Sequence, residues 1–338
     1  MLSAFITTPL NCLAISSANA DLPLAVGPVT TMTGRISPRG QFLVESILTL
    51  VAPPDCKLET SVSEIAVTAL GVGGAHSVNG VEFFSNDRAA DIRWEGDPWD
   101  EHIADAVRLA ISHKPVDYAL QPAKHRGKRL MIADMDSTIV ASETLDEMAA
   151  RAGVGHRVSE ITSRAMNGEI DFQTALRERV RLLAGVEAGI LEDVYSNISI
   201  TPGADVLVRS MANSGAECLL VSGGFKFFTD RIAHQLGFHG NQANDIEINS
   251  GRITGELIEP ILDSAAKVQA LEAAMQRLAI GPESVLAVGD GSNDIPMLRR
   301  AGLGVAWRGK PVVKAQTRAR IDYGDLSTLL IFQRMDPA

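Results

Sequence analysis

Hydrophobic and polar positions divide the chain into two stretches of different rhythm. In the first, an apolar run from Leu43 to Val51 predicts a strand, Ser61 to Leu70 a helix, and Ala90 to Trp94 another strand. A second helix is predicted from Trp99 to Ile111, where Ile103, Val107 and Leu109-Ala110 recur on one side. These elements make a small α+β unit within residues 1–115. The polar, proline-containing stretch His113 to Lys128 follows, and residues 116–128 are taken as a linker.

From residue 129 to residue 338 the rhythm changes to strand–helix alternation. Apolar runs at Leu130–Ala133, Glu217–Val221, Val285–Val288 and Leu303–Ala306 each end in glycine or a polar residue and give way to helical periodicity. This is the signature of an α/β fold with a doubly wound parallel sheet of Rossmann-like type. About eighty residues of helical sequence separate the first two runs. An insertion at about 142–200 therefore predicts a helical cap over the carboxyl edge of the sheet. Ile246 to Thr254 predicts a hairpin turning at Gly251, and no chemistry is assigned to it.

Composition narrows the function classes. A length of 338 residues, 46% of them hydrophobic, suits two domains or one domain with a large insertion. The net charge of −10 sets the surface against nucleic acid and anionic membrane, so an anionic substrate needs a local positive site. Cys12, Cys56 and Cys218 fit neither a zinc spacing nor a disulfide framework, which favours a reducing, cytoplasmic setting. The first twenty residues are apolar and end in Ala18-Asn19-Ala20, as an export leader would. No Lys or Arg precedes Arg35, however, so the expectation is against export. No apolar run approaches the length of a membrane span. Lys310, Lys314, Arg318 and Arg320 read as a solvated basic face.

The candidate chemistry lies where the strands end. Asp134-Met135-Asp136-Ser137-Thr138 directly follows the strand Leu130–Ala133, and open α/β sheets bind ligands beyond the carboxyl ends of their strands. Ser222-Gly223-Gly224 ends the next strand and offers a hydroxyl and backbone N–H groups to an anion. Gly289-Asp290-Gly291-Ser292-Asn293-Asp294 ends the third and adds two carboxylates. Four aspartates at one edge repel one another unless a hard divalent cation such as Mg²⁺ lies between them. Lys267, near the start of a helix, adds a fixed positive charge of the kind phosphoryl transfer uses. Taken singly, these are an acidic turn, an ordinary strand–helix turn and a solvated lysine. Together they are the parts for phosphoryl transfer through an aspartyl phosphate.

The ordered set resembles the haloacid dehalogenase-like phosphatases, and more narrowly the phosphoserine phosphatases, over about residues 128–310. The resemblance implies a nucleophile at Asp134 and a general acid, then base, at Asp136. It implies Mg²⁺ held by Asp134, the backbone carbonyl of Asp136, and Asp290, with phosphate oxygens bound by Ser222, the Gly223 N–H and Lys267. Asn293 would orient the substrate, and Asp294 would support Lys267 from behind. The N-terminal unit loosely resembles amino-acid-binding, ACT-like domains, which leaves room for an amino-acid effector there; a homodimer is open, since the sequence does not reveal oligomeric state. The implied reaction is hydrolysis of phosphoserine, the last step of serine biosynthesis.

Specificity is expected in the cap. Phe172, Leu176, Val180 and Leu183 define the apolar face of a helix at 171–184, and Arg179 lies on that side, whereas Arg177, Glu178 and Arg181 point elsewhere. By resemblance Arg179 would clamp the substrate carboxylate, Glu143 would bind its ammonium, and Met166 and Phe172 would wall the pocket. The plainer readings are an arginine paired with a structural carboxylate and a glutamate matching a helix dipole. Two other functions remain open from the residues: a phosphatase or phosphotransferase acting on another small phosphomonoester, and a serine sensor with idle phosphatase parts.

Overall fold

The computed structural model describes residues 44–335. The readings made on the export leader, on Cys12 and on the strand start at Leu43 lie outside the described residues.

The first stretch folds as β1 (Glu45–Val51), α1 (Thr60–Val72), β2 (Val81–Phe84), β3 (Ala89–Glu95), α2 (Glu101–Ala110) and β4 (Asp117–Pro122). Its strands are antiparallel in the order β2-β3-β1-β4, so β3 is inserted between the two strands that α1 connects. That is the split βαβ arrangement of ferredoxin-like units. The helices cover one face through Leu48, Leu50, Ile92, Trp94, Ile103 and Val107. α2 begins where the carboxylate of Asp100 accepts the N–H of His102, one of the donors a helix start leaves unpaired.

The second stretch supplies β5 (Leu130–Ala133), β6 (Glu217–Phe225), β7 (Gly240–Asn249), β8 (Arg252–Ile258), β9 (Val285–Gly289), β10 (Leu303–Trp307) and β11 (Ala319–Ile321). The insertion after β5 is helical, as its periodicity predicts: α3 (Thr144–Arg151), α4 (Gly155–Met166), α5 (Phe172–Arg181) and α6 (Ile190–Tyr195). The remaining helices are α7 (Ala204–Asn213), α8 (Lys226–Leu236), α9 (Ser264–Leu278), α10 (Ile295–Arg300), α11 (Pro311–Lys314) and α12 (Thr328–Phe332). The six strands β11-β10-β9-β5-β6-β7 are parallel, and both of their faces are covered. Covering explains why β5 and β9 read as unbroken apolar runs rather than alternating ones. The connection order reverses between β9 and β5. Two strand ends part there and leave a crevice.

Two expectations are corrected. The sheet is mixed rather than parallel throughout, because β8 adds antiparallel to β7, and β4 adds antiparallel to β11. One eleven-stranded sheet therefore runs through both stretches. The stretch assigned to a linker is also not one: Asp117–Pro122 is a buried strand pairing with both β1 and β11. Asp117 reads as a loop residue in sequence, but it is fully buried and accepts the backbone N–H groups of Asp322, Tyr323 and Gly324.

The segment after β4 is tied down by charge. Asp91, fully buried on β3, accepts Thr49 Oγ1 at 2.8 Å, Arg126 through both terminal nitrogens, and Arg334 Nη1 at 2.7 Å. Arg126 also donates to the carbonyl of Phe332, and Gln121 donates to that same oxygen. A buried carboxylate is tolerated where charged donors saturate it, and here three chain segments meet on one. Among the described residues no helix is long and apolar enough to cross a membrane.

Candidate active site

The ends of β5, β6 and β9 converge in the crevice, beneath α4 and α5, around a cavity of about 380 Å³. That volume suits a small molecule. Asp134 caps β5, with its carboxylate accepting the N–H of Met135 at 2.8 Å. The chain then turns sharply, with Ser137 at φ 54°, which aims Asp136 toward β6. Asp136 accepts the Thr144 N–H at 2.9 Å, which fixes it against the first cap helix, and the Ser222 hydroxyl at 3.3 Å. Gly224 permits this approach, because a Cβ there would collide with the Asp136 carboxylate.

Opposite stands the β9 turn. Asp294 is fully buried and accepts Gly291 N–H at 3.0 Å and Lys267 Nζ at 2.6 Å. Lys267, itself 2% exposed, also meets Asp134 Oδ1 at 2.7 Å and so lies between two carboxylates. Oxygen atoms of Asp134, Asp290 and Asp294 all fall within 4.8 Å of one another. Asp134 and Asp290, distant in sequence, thus come within reach of one cation. The third side chain in that cluster is Asp294, while the Asp136 side chain faces Ser222 and Thr144 instead.

The electrostatics follow from this crowding. Burial and the charge of Asp294 hold the Asp134 carboxyl well above the ordinary range, against the pull of Lys267. Burial and Glu143 push Asp136 up to about 7. Burial, Asp294 and Glu143 push Asp290 up to about 6. Burial works against the Lys267 ammonium, but Asp134 and Asp294 outweigh it and keep the lysine charged. All-oxygen, anionic donors of this kind fit a hard divalent cation.

A prediction follows for the metal-free protein. Raised carboxyl pKa values mean that the fold favours the protonated forms. Their contribution to stability is complete below about pH 4 and is lost as the pH rises through about 6 for Asp290 and about 7 for Asp136. At Asp290 and Asp134, whose carboxylates face the cation position, protons and a cation compete. Adding Mg²⁺ to chelator-treated protein is expected to raise Tm by roughly 5 °C at a hundredfold excess over Kd at pH 7.5, and by much less at pH 5. Equal shifts at both pH values in differential scanning calorimetry would show that the carboxylates are not the metal's ligands.

The other expected residues fall as follows. Glu143, Met166, Phe172, Arg179, Ser222, Gly223 and Asn293 all line the cavity. Phe172 seats so closely on the β6 turn that a Cβ at Gly223 would lie 3.0 Å from its ring. Arg179 is the unsaturated arginine of α5: its side-chain hydrogen bond among the described residues is to the Ala175 carbonyl of its own helix, at 3.3 Å. Arg177 pairs with Glu259 and Arg181 with Glu256, on the outer side. Burial lowers the Arg179 pKa, opposed by the charges of Asp146, Glu143 and Asp136. Glu143 accepts the Ser137 hydroxyl at 2.7 Å.

Sequence reasoning missed several participants. Thr138 donates to Asp290 at 3.1 Å, and its place beside Asp136 was the available signal. Lys310 lines the cavity, and its charge lowers the Asp290 pKa. The basic face in which it was placed instead divides: Lys314 and Arg320 pair with Asp322, and Arg318 with Glu101. Nothing in the local sequence separates Lys310 from the others.

Residues 131–299 match the family model described as haloacid dehalogenase-like hydrolase. The phosphoserine phosphatase of Archaeoglobus fulgidus is 48% identical over 210 residues, which cover 62% of this chain and 61% of that protein. The phosphoserine phosphatase of Lactococcus lactis is 42% identical over 205 residues, covering 61% of this chain and 95% of that one. The chain therefore spans about three fifths of the first relative's length and nearly all of the second's. The crystal structure of a HAD family hydrolase from Salmonella enterica serovar Typhi superposes with a TM-score of 0.74 at 27% identity, covering 87% of this chain and 100% of that chain.

Proposed function

The chain belongs to the haloacid dehalogenase-like hydrolases, grouping within them with phosphoserine phosphatases, and from that premise we propose that it hydrolyses O-phospho-L-serine to L-serine and inorganic phosphate. The observation that carries this reading is the meeting of Asp134, Lys267, Asp290 and Asp294 at one edge of a cavity that Arg179 and Glu143 also line. The first group can transfer a phosphoryl group, and the second matches the two charges of an amino acid.

In the proposed reaction a carboxylate oxygen of Asp134 attacks phosphorus, and the bond from phosphorus to the serine oxygen breaks. Asp136, whose carboxyl burial pushes up to about 7, gives its proton to that oxygen. Water then attacks the phosphorus of the aspartyl phosphate, Asp136 takes the water's proton, and phosphate leaves with Asp134 restored. Lys267, Ser222 and the Gly223 N–H hold phosphoryl oxygens, and Asn293 orients the ester. Asp294 fixes the lysine by the 2.6 Å contact. Asp134, Asp290 and the backbone carbonyl of Asp136 would hold Mg²⁺, which when bound supplies positive charge to the phosphoryl oxygens. Arg179 receives the substrate carboxylate, Glu143 its ammonium, and Met166 and Phe172 flank the side chain.

The same reading makes the unit ending at Pro122 an ACT-like domain, for which its split βαβ topology is the basis, with an amino-acid effector and a homodimer as its proposed partners. It also places the protein in the cytoplasm at the last step of serine formation, in keeping with the free thiols of Cys56 and Cys218. The test is phosphate release across a panel of phosphomonoesters with Mg²⁺. Phosphoserine should exceed phosphoethanolamine, which lacks the carboxylate, by about 10²-fold or more in kcat/KM. Equal rates, or a requirement for an acceptor alcohol, would replace this reading with another phosphatase or a phosphotransferase.

A further inference from the structure

The strand ladder beside the β6 turn is broken, and one side chain fills the break. β6 and β7 pair regularly from Leu219 opposite Gly240 to Val221 opposite Gln242, and resume with Phe225 opposite Asn244. Ser222, Gly223 and Gly224 thus stand against a single residue of β7. A bulge of this kind takes backbone groups out of pairing and re-aims them, here toward the cavity. It also deprives the Gly223 carbonyl of a strand partner.

Asn244 replaces that partner. Its Nδ2 donates to the Gly223 carbonyl at 2.8 Å and to the Leu262 carbonyl at 3.1 Å, while its Oδ1 accepts the Leu262 N–H at 2.7 Å. The residue is 1% exposed and does not line the cavity. Leu262 precedes Asp263, whose carboxylate caps α9 by accepting Ala265 N–H at 2.9 Å, and Lys267 stands one turn further on. The cap reaches the same point, since Gln173 of α5 donates to Asp263 at 3.2 Å. One amide therefore joins the turn bearing Ser222 and Gly223 to the start of the helix bearing Lys267. Both a donor and an acceptor on a short planar group are needed. An ionised aspartate cannot donate, and glutamine is one methylene too long.

We propose that Asn244 is a positioning residue for phosphoryl transfer, holding the two phosphate-facing elements in the mutual register that the transferred group requires. The inference rests on the phosphatase reading above. Displacement of a reacting centre by about 1 Å lowers a rate about 10²-fold, so the effect belongs in kcat. KM for phosphoserine should move less, because Arg179 and Glu143 hold the other end of the molecule.

The test compares Asn244→Asp and Asn244→Ala with wild type in the full chain with Mg²⁺, on phosphoserine and on p-nitrophenyl phosphate, with inorganic-phosphate affinity from calorimetry. We expect kcat per folded molecule to fall about 10- to 100-fold on both substrates, and phosphate affinity to fall in parallel. Wild-type kcat in a folded variant would overturn the inference. So would a loss of activity that matches only the unfolded fraction in thermal denaturation, or failure of both variants to fold, since either makes the amide a purely structural element. A wild type that hydrolyses p-nitrophenyl phosphate but not phosphoserine would remove the substrate reading alone, leaving the Asn244 comparison readable on the ester it accepts.

Discussion

Asp134→Asn is expected to reduce phosphoserine turnover to roughly a thousandth of wild type or less, while leaving the protein folded and at least as stable. An amide cannot become an acyl phosphate, so the step that forms the phosphorus–oxygen bond is lost rather than slowed. Stability should move the other way. In the metal-free protein Asp134 is buried beside Asp294 and its carboxyl is held far above the ordinary range by that environment. The neutral side chain removes that repulsion yet can still accept from Met135 N–H and Lys267 through its oxygen. Active sites commonly trade stability for function in this way. The checks are a phosphate-release assay beside thermal unfolding of chelator-treated protein. Retained turnover in the folded variant would refute the aspartyl-phosphate mechanism.

How much of this was readable beforehand depended on where the information lies. Periodicity was sufficient for the parallel core, because β5, β9, β10 and the first half of β6 are short apolar runs that give way to glycine or polar residues and then to a helix. The residues at their carboxyl ends could then be placed at one edge with no knowledge of distances, since a parallel sheet brings all such ends to the same side. Arg179 was legible for a related reason. Its helical spacing put it on the apolar face, and the paired states of Arg177 and Arg181 on the outer side are what that spacing implies.

What escaped were contacts made between segments far apart in sequence. β4 carries Asp117, Gln121 and Pro122, residues that read as loop. It becomes a strand because β1 and β11 flank it and distant backbone donors and carbonyls satisfy its polar side chains. The Asp91 cluster likewise joins β1, β3, Arg126 and Arg334, a convergence with no local pattern. Lys310 and Asn244 were missed on the same ground: each acts across the sheet edge, on Asp290 and on the Gly223 carbonyl. Local sequence records propensity and periodicity, whereas tertiary pairing decides polar residues of this kind.

Arg179→Ala should lower kcat/KM for phosphoserine by about 10²-fold and for phosphoethanolamine by less than about threefold, so that discrimination between the two nearly vanishes. The side chain lines the cavity, and among the described residues its hydrogen-bond partner is a carbonyl of its own helix. Burial lowers its pKa while Asp146, Glu143 and Asp136 oppose the shift without any of them closing on it as an ion pair. A half-buried guanidinium that faces a cavity and forms no ion pair among the described residues is arranged to receive an anion from outside the chain, and a carboxylate accepts two of its donors in parallel. Phosphoethanolamine retains the phosphate and the ammonium, so the comparison isolates the carboxylate. Its rate also controls for collapse of the cap: α5 carries Phe172, which seats on Gly223, and a disordered helix would slow both esters alike. Equal losses on the two substrates would mean that Arg179 holds the cap together rather than the substrate, and Lys310, the other cation lining the cavity, would become the candidate for carboxylate recognition.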